Sequence, residues 1–319
     1  MAPGGLSGPR VPDGDARGRG YTRAVDGFGD ILTAMVTPFD GRGALDEAAA
    51  ARLMGHLVRH GSDGVVLAGT TGEASTLTDE EKAALFAIGV SELGGHAAVI
   101  AGTGSNDTAH SVHLTERAAR AGVDAVLAVT PYYNRPPRAG LIAHFRAIAA
   151  VGVPVILYNI PSRTTLNMDP GLIAELGEIP GIVAVKQANP ELAEARAVRE
   201  RTGLALYAGN DDMLLPVAQM GGAGVISVAS HLVGERMAEV GATARAGDAA
   251  EAERLDAALR PLYEALFVTS NPILVKAALH MIGLIPTPEL RLPLVQATPV
   301  EREILRAVLE QQGVPAHVA

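Results

Sequence analysis

Residues 181–186 read Gly-Ile-Val-Ala-Val-Lys, an apolar run that ends on a lysine. The run is too short and too uniformly apolar for a half-exposed antiparallel strand, and it suits a parallel strand buried on both faces. Seven further runs have the same character: ILTAMV from Ile31, GVVLAG from Gly64, AAVIAG from Ala97, DAVLAV from Asp124, VPVILYN from Val153, LALYAG from Leu204 and GVISVA from Gly224. The pattern predicts eight buried strands.

Helical stretches separate these runs. TLTDEEKAALFAIGVSEL offers Thr78 as N-cap and Glu81 at the capping-box position, and SNDTAHSVHLTERAARAG ends on Gly122, a good helix stop. Strands recur after roughly 20 to 33 residues, the size of a βα unit. The first run leads into TPFDGRGALD, which lacks a glycine-rich nucleotide fingerprint. The sequence therefore predicts an α/β fold of the TIM (β/α)8 barrel type and not an open sheet.

Three segments are expected along the chain. Residues 1–28, rich in Gly, Pro and Arg, read as a disordered tail, and residues 29–247 as the barrel. Residues 248–319 have helical periodicity without a strand pattern, which predicts a C-terminal helical appendage on the barrel.

Composition excludes several classes of function. The formal net charge of −9 argues against non-specific nucleic-acid binding, which needs a basic surface. The absence of cysteine excludes disulfides, thiolate nucleophiles and thiolate zinc sites. No apolar run approaches the roughly 20 residues of a membrane span, and no secretory signal is recognised. We therefore expect a cytoplasmic protein without a membrane partner.

The histidines do not form a metal-binding pattern. His56 and His60 are spaced i, i+4 without an HExxH arrangement, and His110 and His113 are spaced i, i+3. Because a catalytic metal needs about three converging protein ligands, we expect no metal site.

Lys186 is the lysine that stands at the end of a buried strand. Of the other two lysines, Lys82 lies among acids and reads as solvated surface, and Lys276 lies in a helix from which its ammonium group could reach solvent. Active sites of (β/α)8 barrels lie at the C-terminal ends of the strands. A desolvated amine there is nucleophilic and can attack a ketone to form an imine. The alternative is a structural lysine paired with a carboxylate.

Other strand ends carry polar groups that suit a site. Tyr158 can act as a general acid or base, or it can lie at the edge of the core in a purely structural role. Arg163 can bind a substrate carboxylate with two hydrogen bonds, or it can remain solvated. The stretch GTTGE, which contains Thr70 and Thr71, offers backbone and hydroxyl donors to an anion or forms a tight turn. TPYYN, which includes Tyr133, predicts an exposed aromatic loop with a role in a site or an interface.

Five stretches resemble the dihydrodipicolinate synthase / N-acetylneuraminate lyase family in order and spacing. They are GTTGE, VTPYYNRPP, LYNIPSRT, VAVKQA and GVISVA. The resemblance runs from about Asp30 to about Gly313, and the five motifs together are highly specific. It implies a lyase of amino-acid biosynthesis, in the diaminopimelate/lysine route, that condenses pyruvate with L-aspartate 4-semialdehyde through a lysine Schiff base, without a metal or an organic cofactor.

The resemblance also assigns roles to residues. Lys186 forms the Schiff base, and Tyr158 shuttles protons in a relay with Thr71 and with Tyr133 of a neighbouring subunit. Thr70, with backbone donors around Thr71, holds the pyruvate carboxylate.

The second substrate and the assembly are implied in the same way. Arg163 receives the carboxylate of the second substrate, and Gly209 and Ile226 line the pocket. The expected assembly is a homotetramer, a dimer of dimers.

The sequence departs from the family pattern at three places. Gln187 follows the lysine where the synthases usually carry an acid, and Asn210 replaces an acid in GNDD. At the place where lysine-regulated enzymes carry paired histidines and a glutamate, this chain retains Asn106 and Tyr132 but has Asp79, Lys82 and His110. Weak or absent feedback by lysine is therefore expected.

Two alternative functions stay open at this point. A 2-keto-3-deoxy sugar acid aldolase or related lyase would use the same imine chemistry; the twin threonines and Arg163 argue against it, whereas Gln187 leaves room for it. A non-catalytic paralogue is also possible for any fold, but it predicts the loss of a lysine, tyrosine or threonine that this chain retains.

Overall fold

The computed structural model describes residues 28–316, and within them eight parallel strands close into a barrel in chain order. The predicted barrel is confirmed, and each strand lies within one of the eight apolar runs, except that the sixth extends one residue further, to Gln187. The strands are β1 (Ile31–Ala34), β2 (Gly64–Leu67), β3 (Ala98–Gly102), β4 (Ala125–Val129), β5 (Val155–Asn159), β6 (Ile182–Gln187), β7 (Ala205–Ala208) and β8 (Gly224–Ser227).

Helices cover the outside of the barrel. They are α1 (Glu47–Arg59), α2 (Asp79–Leu93), α3 (Thr108–Ala121), α4 (Arg138–Ala149), α5 (Pro161–Thr164), α6 (Pro170–Gly177), α7 (Leu192–Arg201), α8 (Leu214–Gln219) and α9 (Ser230–Arg245), with a 3₁₀ turn at Asp211–Met213. The predicted capping box of α2 is confirmed, because Thr78 and Glu81 exchange hydrogen bonds. Gly122 ends α3 with φ of 84°, a conformation that favours glycine.

The chain then continues as helices, as expected. They are α10 (Ala249–Ala265), α11 (Ile273–Met281) and α12 (Pro299–Gln311). The predicted division at residue 247 falls between α9 and α10. Of the predicted tail, residues 1–27 lie outside the described residues. Phe28 belongs with the barrel, since its backbone N–H donates to the Tyr207 hydroxyl at 2.6 Å and its side chain packs on the inner apolar cluster.

Side-chain alternation along β5 and β6 separates two environments. Tyr158 is the register partner of Lys186, and Asn159 is the partner of Gln187. Tyr158 packs with the cluster inside the barrel, and Lys186 lies against its ring. Their neighbours Asn159 and Gln187 therefore face the helix layer, because successive side chains of a strand point to opposite faces. The barrel thus directs Lys186 inward.

Candidate active site

A cavity of about 550 Å³ opens at the C-terminal ends of the strands. Its wall includes three of the predicted site residues, Thr70, Tyr158 and Arg163. It also includes Asn271, which precedes α11 and which the motifs did not single out. The cavity lies at the face of the barrel where (β/α)8 enzymes hold their active sites.

Lys186 lies beside Tyr158, which lines this cavity. Its side chain is buried, with the residue 5% exposed, and Nζ lies 4.4 Å from the centroid of the Tyr158 ring. Lys186 makes no ion pair with any residue between 28 and 316. That disfavours the structural alternative, in which a carboxylate neutralises this lysine. A buried amine that forms no ion pair and lies beside a phenol suits nucleophilic and proton-transfer chemistry.

Asp211 is a buried carboxylate near this centre that the sequence analysis missed. It follows β7 and accepts hydrogen bonds from the backbone N–H groups of Val228 at 3.1 Å and Ala229 at 3.0 Å. Burial raises its pKa, and hydrogen bonds and the positive charge of Lys186 oppose that shift. Asp211 thereby holds the turn that follows β8. In the sequence, the two adjacent acids of GNDD directly after an apolar run were the feature that could have indicated this carboxylate.

The two threonines of GTTGE lie in different surroundings. Thr70 is partly exposed and lines the cavity. Thr71 is buried, and its Oγ1 accepts a hydrogen bond of 2.9 Å from Nδ2 of Asn271. The loop therefore presents one hydroxyl to the cavity and ties the other to the C-terminal appendage.

Glu73, the last residue of GTTGE, anchors the loop. Its φ is 55°, and its carboxylate receives Nζ of Lys276 at 2.5 Å and the backbone N–H of Arg291 at 3.0 Å. The expectation that Lys276 reaches solvent is wrong, since the residue is fully buried in α11. The physical reason is that the other residues of α11 between 273 and 279 are apolar and buried, so this part of the helix does not face solvent.

The expectation for Lys82 is wrong as well. Lys82 is buried in α2 and lines the same cavity. Burial lowers its pKa, and Asp79 partly opposes that shift. The acidic neighbours in sequence suggested a solvated helix face, but the packing of α2 covers this side chain.

Arg163 lies in α5 at the cavity wall. Its Nη2 donates to the backbone carbonyl of Asn271 at 3.4 Å. The guanidinium retains further donors toward the cavity, and a guanidinium matches a carboxylate bidentately.

Gly209 and Ile226 lie at the ends of β7 and β8, as predicted. A Cβ on Gly209 would lie 2.5 Å from Cβ of Ala188, so a larger residue would displace the end of β6. Ile226 is buried within the inner cluster of the barrel.

Tyr133 lies outside the cavity lining of its own chain, as do four other predicted site residues, Thr71, Lys186, Gly209 and Ile226. It is 89% exposed, with φ of 72°, in the loop after β4. The predicted exposed aromatic loop is confirmed, and Tyr133 has no hydrogen bond to Tyr158 within residues 28–316.

Two departures from the family pattern, Gln187 at the end of β6 and Asn210 after β7, have side chains in different surroundings. Gln187 is fully buried toward the helix layer, where its Oε1 accepts from Nδ2 of Asn159 at 2.8 Å. Its Nε2 has no partner among residues 28–316. Because it faces away from Lys186, it affects the imine only indirectly. Asn210 lines a separate cavity with Arg260 and Tyr263.

Two features are absent from residues 28–316. No group of three or more His, Cys, Asp or Glu side chains is arranged to hold a metal ion. No helix in this range combines the length and the apolar character needed to cross a membrane.

Comparison with known proteins connects this geometry to one family. The sequence model described as "Dihydrodipicolinate synthetase family" matches residues 27–312. The 4-hydroxy-tetrahydrodipicolinate synthase of Moorella thermoacetica is 50% identical over 289 residues, which is 90% of this chain and 99% of that protein. The protein of the same name from Heliobacterium modesticaldum is 47% identical over 292 residues, 91% and 97% of the two chains.

Solved structures agree. The dihydrodipicolinate synthase of Cyanidioschyzon merolae with lysine bound superposes with a TM-score of 0.87 at 41% identity, covering 90% of this chain and 99% of that one. The chloride-inhibited enzyme of Acinetobacter baumannii complexed with pyruvate gives 0.87 at 37% identity, covering 90% and 99%. Relatives and structures thus share nearly the whole described chain.

Proposed function

This chain belongs to the dihydrodipicolinate synthetase family, and we propose that it condenses pyruvate with L-aspartate 4-semialdehyde as a 4-hydroxy-tetrahydrodipicolinate synthase. The observation that carries the proposal is Lys186, buried at the barrel mouth against Tyr158 and outside any ion pair among residues 28–316. The names of the relatives and the pyruvate complex of the Acinetobacter baumannii enzyme support it.

In the proposed reaction the Lys186 amine attacks the keto carbon of pyruvate and water leaves, which forms an iminium. A methyl proton is then lost, and the resulting enamine forms a carbon–carbon bond with the aldehyde of the semialdehyde. The amino group of the second substrate displaces Lys186 and closes the ring. One water is released overall, and the lysine is regenerated without an external oxidant or reductant.

Tyr158 is placed to move protons in these steps, because its ring lies against the Lys186 amine. The surroundings of the threonines support a division of tasks other than the one that the resemblance implied. A relay hydroxyl must both accept and donate, and Thr70 lines the cavity with Tyr158. Thr71 accepts from Asn271 and keeps its proton, which it can donate to a carboxylate. We therefore place Thr70 in the relay and Thr71 on pyruvate.

Arg163 is the proposed receiver of the second carboxylate. It stands at the cavity wall, and its hydrogen bond to the Asn271 carbonyl orients the guanidinium while leaving other donors free. Gly209 and Ile226 complete the proposed pocket, since the lack of a side chain on Gly209 keeps the end of β7 close to β6.

Assembly remains a prediction of the resemblance. The exposed Tyr133 supports it, because a phenol that does not face its own cavity is free to enter that of a neighbour. A homotetramer with Tyr133 supplied across an interface is therefore part of the proposal. The cytoplasmic location likewise stays a prediction.

Borohydride trapping tests the proposal directly. We expect the protein incubated with pyruvate and borohydride to carry one reduced adduct, on Lys186, because the imine is the intermediate that hydride reduces. Peptide mass spectrometry distinguishes this site from Lys82 and Lys276. Addition of L-aspartate semialdehyde before the reductant should deplete the adduct, whereas a sugar-acid aldehyde should not. An adduct on another lysine, or none, contradicts the mechanism.

Weak feedback by lysine is a second expectation. Asp79 is already engaged by His110 at 3.0 Å, and Lys82 adds a cation to the wall that an amino-acid ligand would approach. We expect L-lysine to inhibit with a constant no tighter than about 1 mM, since micromolar regulation needs about 4 kcal/mol more binding free energy. The measurement is a titration of activity at constant ionic strength, with D-lysine as control. Strong inhibition at micromolar L-lysine would refute the expectation.

A further inference from the structure

Asn271 links the C-terminal appendage to two residues of the candidate site, Thr71 and Arg163. It lies between α10 and α11, is 7% exposed and borders the cavity that Thr70, Tyr158 and Arg163 line. Its side chain and its backbone serve different partners. Nδ2 donates to Thr71 Oγ1 at 2.9 Å, and the carbonyl oxygen accepts from Arg163 Nη2 at 3.4 Å.

The direction of the first hydrogen bond determines what Thr71 can do. A hydroxyl carries one proton and two lone pairs, and a ligand carboxylate only accepts. When the amide nitrogen donates to Oγ1, the Thr71 proton is left for another acceptor. The opposite orientation of the amide would consume that proton and leave Nδ2 without an acceptor.

The amide oxygen of Asn271 takes no part in the contact with Thr71. Oδ1 of Asn271 is buried and has no partner among residues 28–316. The amide thus acts on Thr71 as a donor alone.

We propose that Asn271 is a positioning residue for pyruvate: its amide holds the Thr71 hydroxyl as a donor aimed at the keto-acid carboxylate. This inference rests on the proposed function, because it assumes that pyruvate occupies the cavity. Arg163 is held by the backbone carbonyl of Asn271 and not by its side chain. Substitution of Asn271 should therefore change the binding of pyruvate and leave that of the semialdehyde nearly unchanged.

The test is Asn271→Asp, which keeps the shape of the side chain and replaces the donor by an acceptor. The Thr71 hydroxyl then donates to the new carboxylate and is no longer available as a donor to pyruvate. We expect the KM for pyruvate to rise by at least about 10-fold, the effect of losing one charge-assisted hydrogen bond, while the KM for the semialdehyde changes by less than about twofold. The concentration of pyruvate that half-saturates borohydride trapping on Lys186 should rise in parallel.

Asn210→Asp is the matched control, because it adds the same charge at the same end of the barrel without a bond to Thr71. Its KM for pyruvate should stay within about twofold of the parent value. Thermal melting of each variant shows whether the fold is retained.

A double-variant cycle separates positioning from simple repulsion. In a Thr71→Val background the further change Asn271→Asp should add little to the KM for pyruvate, because the group through which it acts is gone. An equal rise in both backgrounds would mean that the new charge repels pyruvate directly, and the positioning role would be wrong. An unchanged KM in Asn271→Asp would overturn it too. Absence of any adduct in the parent protein would instead reject the proposed function.

Discussion

Lys186→Met is expected to lower kcat/KM by at least about 10⁴-fold, since removal of a covalent nucleophile eliminates the reaction path and not one contact. Borohydride trapping with pyruvate should fall to background in the same variant. The side chain is buried and forms no ion pair within residues 28–316, although its charge acts on the buried carboxylate of Asp211. An apolar replacement of similar length fills the same space, and Asp211 keeps its two hydrogen bonds from Val228 and Ala229, so the fold should be retained.

The combination of lost activity and retained stability is the informative result. Steady-state kinetics and thermal melting are measured on the same preparation, with Lys82→Met as the matched control. Lys82 is also a buried lysine at the cavity wall, but it does not contact Tyr158. The control should keep kcat/KM within several-fold of the parent. If Lys186→Met retained more than a few per cent of the activity, the imine mechanism would be rejected.

Lys276→Met is expected to give the largest loss of stability, about 3–5 kcal/mol, because it leaves a buried carboxylate without its partner. Glu73 and Lys276 are almost completely inaccessible, and Nζ and Oε1 are 2.5 Å apart. Burial lowers the pKa of Lys276, and the Glu73 carboxylate opposes that shift. Lys276 also donates to the carbonyl of Glu289 at 2.7 Å and lies 4.1 Å from the centroid of the Phe39 ring.

Thermal and urea unfolding measure this loss, and for a chain of this size we expect the melting temperature to fall by roughly 10 °C. The double variant Glu73→Gln with Lys276→Met removes both charges and should recover more than half of the lost stability, since the cost arises from the unpaired carboxylate. Retention of the parent melting temperature by Lys276→Met alone would show that the pair contributes nothing. Because Lys276 holds Glu73 at the end of the GTTGE loop, folded Lys276→Met should also bind pyruvate more weakly than the parent.

Local sequence patterns were sufficient to predict the barrel and the position of Lys186 at its mouth. Strands buried on both faces consist of short apolar runs, and this property is visible in residues 153–159 or 181–186 without knowledge of their neighbours. A lysine that ends such a run must lie at the barrel mouth, because all parallel strands end there. The inward direction of Tyr158 and the outward direction of Gln187 needed only the strand register, which the structure supplied.

Pairings across long stretches of chain were decided by the tertiary structure. Asn271 meets Thr71 across 200 residues, and Lys276 meets Glu73 across 203. No local pattern indicates which of many polar side chains will meet after the C-terminal helices pack on the barrel. Lys276 was misjudged for this reason: a lysine in a helix ordinarily extends to solvent, and only the packing of α11 shows that its charge must find a buried partner. The amino-acid sequence by itself determined the barrel and the position of Lys186, because both follow from periodicity along one strand. The surroundings that orient Thr71 and close the GTTGE loop depend on contacts between distant segments, and those exist only in the folded chain.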